Sequence, residues 1–240
     1  MQLDRLRQRR ILPRRWLLGV AMRAYWAGLF VLVAALAGCR ADSRFVVFTS
    51  DILAVAAGGA AAPVSALYRV EISSMSDCEE KKSAVMAIVA RYFEVTSAAL
   101  CDGGEDNSWL EYSAKTELVA LGAALPGNAP LGLAAAQTGS GVALHLLFDA
   151  RRFAALGHDV EALDLGASVE IGGLTLEILH DGDAPLVLAA PSAWLNNAPR
   201  VAPALTLTRR DSAVLRLSDV AGAALQADGT VLALTLALAP

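Results

Sequence analysis

The sequence predicts an α+β fold in two parts: an α+β domain over residues 39–122, held by one disulfide, and a β-rich, sandwich-like domain over residues 131–240. Three observations predict it. Residues 64–73 alternate, with Val64, Ala66, Tyr68, Val70 and Ile72 on one face and Ser65, Arg69 and Glu71 on the other, the period of a half-buried strand. Ser76-Asp77-Cys78-Glu79 has the S-x-x-E spacing of a capping box, in which serine and glutamate satisfy each other's backbone donors at a helix start. Beyond residue 131, short apolar runs are cut by Gly- and Asp-containing turns at the spacing of a small sandwich.

In the first part, residues 44–48 (RFVVF) form a short β-rich run. Thr49, Ser50 and Asp51 are each good helix N-caps, and one or two helical turns over 52–57 close at Gly58-Gly59. After the strand at 64–73, the capping box starts a helix that reaches about Phe93, with Cys78, Val85, Ile88, Val89 and Tyr92 on one face. Residues 94–101 return as a strand. That helix rises about 22 Å and the strand covers about 25 Å the other way, so Cys78 and Cys101 meet near one end of the unit. In an oxidising compartment they form a structural disulfide. The rival, a redox or metal pair, lacks a C-x-x-C and a nearby histidine. Residues 101–107 (CDGGEDN) make an acidic, solvated loop whose spacing fits no EF-hand. Residues 109–121 alternate again as a long strand.

The run 123–130 (AALPGNAP) has the Pro, Gly and Asn content of a linker and marks the domain boundary. Strands follow at 131–136 and 142–148, and Asp149 caps a short helix over 151–156. Gly172-Gly173 reads as a tight hairpin between strands at 169–171 and 174–180. Residues 181–183 turn the chain before a strand at 186–190. Runs at 201–208 and 214–218 flank a turn at 209–211. Asp228-Gly229 reads as a second hairpin dipeptide between 225–227 and 231–238.

Upstream, Arg23 precedes an uncharged apolar run from 24 to 37, the core of a signal peptide. Its 14 residues rise only about 21 Å as a helix, short of a bilayer core of about 30 Å. The run ends Leu36-Ala37-Gly38-Cys39, which resembles the bacterial lipobox. The resemblance implies that diacylglycerol is attached to the Cys39 thiol and that the peptide is cut between Gly38 and Cys39. Two or three acyl chains would then make a stable anchor where one is marginal. Arg40 after the cysteine implies the outer membrane rather than the inner. Residues 1–21 read either as an extension before a true start at Met22 or as a long leader; Arg14-Arg15-Trp16-Leu17-Leu18 loosely resembles a twin-arginine export motif without its flanking residues.

Charge divides at the same place. Residues 1–38 hold seven of the 20 basic residues and one of the 24 acidic ones, leaving 13 basic and 23 acidic after the cut, a net charge of −10. That excludes nucleic acid as a partner and makes the covalent lipid, not a basic surface, the attachment to the membrane. No cofactor site, metal-ligand spacing or catalytic motif is visible. His145 lies in an apolar strand, and His158 and His180 at turns. His180-Asp181-Gly182-Asp183 is where imidazole and carboxylates cluster, and it reads as a turn. Trp194-Leu195-Asn196-Asn197 reads either as an exposed aromatic loop for a partner or as a loop held by a buried tryptophan.

The anchor cysteine, the extended run ending Thr49-Ser50-Asp51-Ile52, Cys78 at a helix start and Cys101 after Tyr92-Phe93 together resemble a family of small lipoproteins of unknown function found in bacteria, phages and prophages. The resemblance covers about residues 39–121 and implies no known activity. The expectation is a non-enzymatic, lipid-anchored protein on the periplasmic face of the outer membrane, with an envelope protein as partner. Its role would be binding or assembly, as a phage- or prophage-encoded factor. The rivals are a structural or pilot lipoprotein of a secretion or conjugation machine and, last, an envelope hydrolase.

Overall fold

The computed structural model describes residues 39–103, 108–163 and 169–239. The signal-peptide segment 1–38, with the cleavage at Gly38 and the alternative start at Met22, lies outside the described residues, as do residues 104–107 of the expected acidic loop 101–107, whose first three residues are strand instead.

From Cys39 onward the chain forms one compact unit, Cys39–Pro240. In chain order its elements are β1 (Cys39–Phe48), α1 (Thr49–Ala56), β2 (Ala62–Ile72), α2 (Met75–Val89), β3 (Glu94–Val95), β4 (Leu100–Gly103), β5 (Ser108–Ala120), β6 (Leu131–Thr138), β7 (Gly141–Phe148), α3 (Ala150–Glu161), β8 (Val169–Leu179), β9 (Leu186–Ala189), β10 (Ser192–Leu195), β11 (Ala198–Val201), β12 (Ala204–Leu207), β13 (Ser212–Leu217), α4 (Asp219–Asp228) and β14 (Thr230–Leu238). All 14 described strands belong to one mixed sheet, in the order β11-β10-β13-β8-β1-β2-β5-β6-β7-β14-β9-β12, with β3 and β4 also paired to β5.

This overturns the predicted α+β fold of two domains. The molecule is mostly β, and its sheet crosses the expected boundary, because β5 and β6 pair in parallel, Leu118 opposite Leu133. Residues 123–130 are a fastened turn rather than a linker. Leu125 and Ala129 are buried, and the Arg152 guanidinium donates to both their carbonyls at 3.2 Å. Composition signalled a break, but a buried leucine and an arginine 23 or more residues away tie the segment down.

β1 is central, antiparallel to β2 and parallel to β8. Phe45 and Val47 point one way into the core, and Arg44 the other way to water. The ends of the strand path also meet. β9 and β10 form one arm of a hairpin and β11 and β12 the other, with its tip at Asn196 and Asn197. Both asparagines take the left-handed conformation, φ 47° and 67°, that suits such a tip. The hairpin bends at Pro191 and Pro203, where Ala202 N–H donates to the Pro191 carbonyl and Ala190 N–H to that of Pro203. Its base pairs with β14 and its tip with β13. One bent hairpin thus bridges both ends of the path, and the sheet curls around its core.

Three local readings change. The N-cap of α2 is Ser74, whose hydroxyl accepts from Asp77 N–H, and Ser76 lies inside the first turn. Gly172-Gly173 makes no hairpin: β8 runs straight through it, with a register shift opposite β1, and Gly173 N–H donates to the Asp42 carboxylate. An added Cβ at Gly172 would meet Asp42 and Arg40 at 2.3 and 2.4 Å. Asp228-Gly229 closes α4 instead of joining strands. Gly229, at φ 74°, is the left-handed cap, and its N–H returns to the Leu225 carbonyl.

Candidate functional site

The disulfide joins Cys78, in the first turn of α2, to Cys101 on β4. It pins α2 beside β5, where Val85, Ile88 and Val89 are buried. α3 lies next to α2, tied by Arg91 and the Tyr92 hydroxyl, which both reach Asp159 (3.1 and 2.7 Å).

Between these two helices and the sheet runs an apolar crevice. Val70, Ile72 and Tyr112 line it from the sheet, Val85 and Val89 from α2, and Leu156 and Val160 from α3. Its free volume is about 50 Å³, or about 770 Å³ when the open mouth and the space along its walls are counted. Ala41 and Ile171, directly paired on β1 and β8, lie on its wall; the next described pair outward is Arg40 with Glu170, then Cys39 with Val169.

Tyr68 also lines the crevice, with its ring held among three others: Tyr112 stacked at 5.4 Å, Phe93 at 4.8 Å and Phe45 edge-on at 6.3 Å. Its hydroxyl is buried and has no hydrogen-bond partner in the structure. A dry orphan hydroxyl costs about 1–3 kcal/mol. Burial pushes the Tyr68 phenol well above its ordinary value, with Tyr112 adding to the rise, and burial also raises Tyr112. Both are therefore neutral donors in an apolar wall. The alternation at 64–73 placed Tyr68 on the buried face but gave no sign of a crevice, which is assembled from segments far apart in sequence.

The His180 turn is a lock, not a reaction centre. His180 Nε2 donates to the Ala184 carbonyl at 3.0 Å, so in the neutral ring Nδ1 accepts from the Thr49 hydroxyl at 2.8 Å. Asp181 accepts from Ser50 N–H at 3.0 Å and lies beside both the Ser50 and Thr49 hydroxyls. Burial would raise the Asp181 carboxyl, but the hydrogen bonds from the Ser50 hydroxyl and from the backbone N–H groups of Ser50 and Asp181 outweigh it and hold it below its usual range. Thr49 is fully buried, so no substrate reaches its hydroxyl. The N-terminus of α1 is thus satisfied by Asp181 from 131 residues away, and not by a cap of its own, since Phe48 occupies that position.

The remaining expected sites fall as follows. Cys39 opens β1. His145 is half-buried on β7 and desolvation lowers its pKa. His158 is in the last turn of α3. Trp194 stands on β10, 43% exposed, beside Arg216 on β13. Outward from β1, Arg44 pairs with Glu177 at 2.8 Å, and Arg69 lies 3.3 Å from Glu111 and 5.0 Å from the Trp109 ring centre. Among the described residues no group of three or more His, Cys, Asp or Glu side chains could hold a metal ion, and no helix is long and apolar enough to cross a membrane.

Fold and crevice define a curled, mostly β protein, stapled by one disulfide, with an apolar pocket under two helices. The chain belongs to the family described as Domain of unknown function (DUF7424), which matches residues 43–238. The match runs from within β1 to the end of β14 and so beyond residue 121, where the sequence resemblance stopped. No curated protein and no solved structure matches the chain.

Proposed function

We propose that this is a lipid-anchored protein of the bacterial envelope, facing the periplasm from the outer membrane, with a non-enzymatic role in binding or assembly. The observation that carries the reading is Leu36-Ala37-Gly38-Cys39 behind an apolar, arginine-led run. The compact unit beginning at Cys39 supports it, because a cut there would leave β1 whole. The disulfide supports an oxidising compartment. A phage- or prophage-encoded origin follows from the sequence resemblance alone.

Metabolic labelling with palmitate tests the anchor. Wild-type protein should take up label and sediment with membranes, and Cys39→Ser should lose label and keep its leader. Equal labelling of both overturns the anchor. Mild cross-linking of the labelled protein, followed by mass spectrometry, should recover a reproducible envelope partner.

A further inference from the structure

The crevice under α2 and α3 has a chemistry of its own. Its walls are almost entirely hydrocarbon, from Val70, Ile72, Val85, Val89, Leu156 and Val160. Into that setting the fold places one buried hydroxyl without a partner, on Tyr68. The phenol is held by Phe45, Phe93 and Tyr112, so it is a fixed donor rather than a wandering one. Ser43, directly opposite Tyr68 across β1 and β2, is also buried and lines the same space. Small-molecule sites are concave and mostly apolar, with a few placed polar groups. A carboxylate or ammonium would be expensive in these walls, whereas a neutral acceptor would complete the phenol.

We propose that the crevice binds an uncharged, mostly hydrocarbon ligand carrying one hydrogen-bond acceptor, such as a carbonyl or ester oxygen, which accepts a hydrogen bond from the Tyr68 hydroxyl; the enclosed space of about 50 Å³ takes the acceptor end and the open mouth takes the rest of the ligand. This deepens the binding role above by naming a ligand class, and it does not depend on the anchor.

The test uses the compact unit from residue 39 onward with Cys39→Ser, which carries neither leader nor acyl chains, and the neutral fluorescent probe N-phenyl-1-naphthylamine. The probe should bind saturably, about one per chain. Methyl decanoate should displace it about three- to tenfold better than decane, the range set by one net hydrogen bond. Tyr68→Phe should keep probe binding and lose that preference. Leu156→Trp fills the crevice and should abolish binding, while the exposed Val220→Trp should not. Unchanged probe binding by Leu156→Trp overturns the proposal. Absence of saturable binding, or an ester preference retained by Tyr68→Phe, overturns it as well. Circular dichroism of each variant verifies folding, and the palmitate result stands or falls separately.

Discussion

Asp181 does the work of a helix cap from just beyond the end of the neighbouring strand, β8. Its carboxylate takes the Ser50 N–H that opens α1, and it borders the buried pair of Thr49 and His180. Asp181→Asn should therefore loosen α1 at neutral pH by about 1 kcal/mol, the typical worth of a cap. The pH dependence has a fixed sign. Hydrogen bonds hold Asp181, Asp77 and Asp211 below the usual carboxylate range in the folded state. Their contribution is complete above the unfolded carboxyl range and is lost as pH falls through the lowered folded values. His145, lowered by desolvation, adds a loss that begins as pH falls below the ordinary histidine range. Melting temperature should decline in two stages on acidification, first from His145 and then from the aspartates. Asp181→Asn should shrink the second stage and leave the first. An unchanged acid profile would show that Asp181 bears no such load. None of this was legible in the sequence. Thr49-Ser50-Asp51 looked self-sufficient as a cap, and His180-Asp181 looked like an ordinary turn, because their partnership spans 131 residues.

Among the elements, α2 shows what sequence reading captures well. The strand at 64–73, the helix after it and the Cys78–Cys101 disulfide were all legible, since each rests on local period or on two cysteines close enough to be paired by arithmetic. The disulfide closes a loop with 23 residues of separation, worth about 3 kcal/mol in the chain-entropy model. Cys78→Ala with Cys101→Ala should lower stability by about that amount in denaturant titration, and thiol counting of the oxidised wild type should find neither cysteine free. An equal midpoint for the two forms would deny the staple its role. The misread elements share one cause. Asp228-Gly229 suits a hairpin and a helix C-cap alike, because both need a residue in the left-handed region. Gly172-Gly173 marks a close approach to β1, not a turn. Deciding between such uses takes the neighbouring strand, which a single sequence does not display.

For the molecule as a whole, the decisive pairings are the least local ones. β1 lies against β8, about 130 residues away in the chain, and β5 hands its last residues to β6 across the segment that resembled a linker. A fragment ending at residue 122 would lack the β8 partner of β1 and the β6 partner of β5. It should fail to fold, showing little ordered circular dichroism and rapid proteolysis. A stable, protease-resistant fragment would restore the two-domain architecture. The bent hairpin from β9 to β12 has a consequence in time. Its base needs β14 and its tip needs β13, both made after it, so it cannot be seated until the last strand has emerged. Folding should therefore be slow and late, governed by high contact order. Until then the hairpin lacks both of its flanking partners, and the two ends of the strand path stay open.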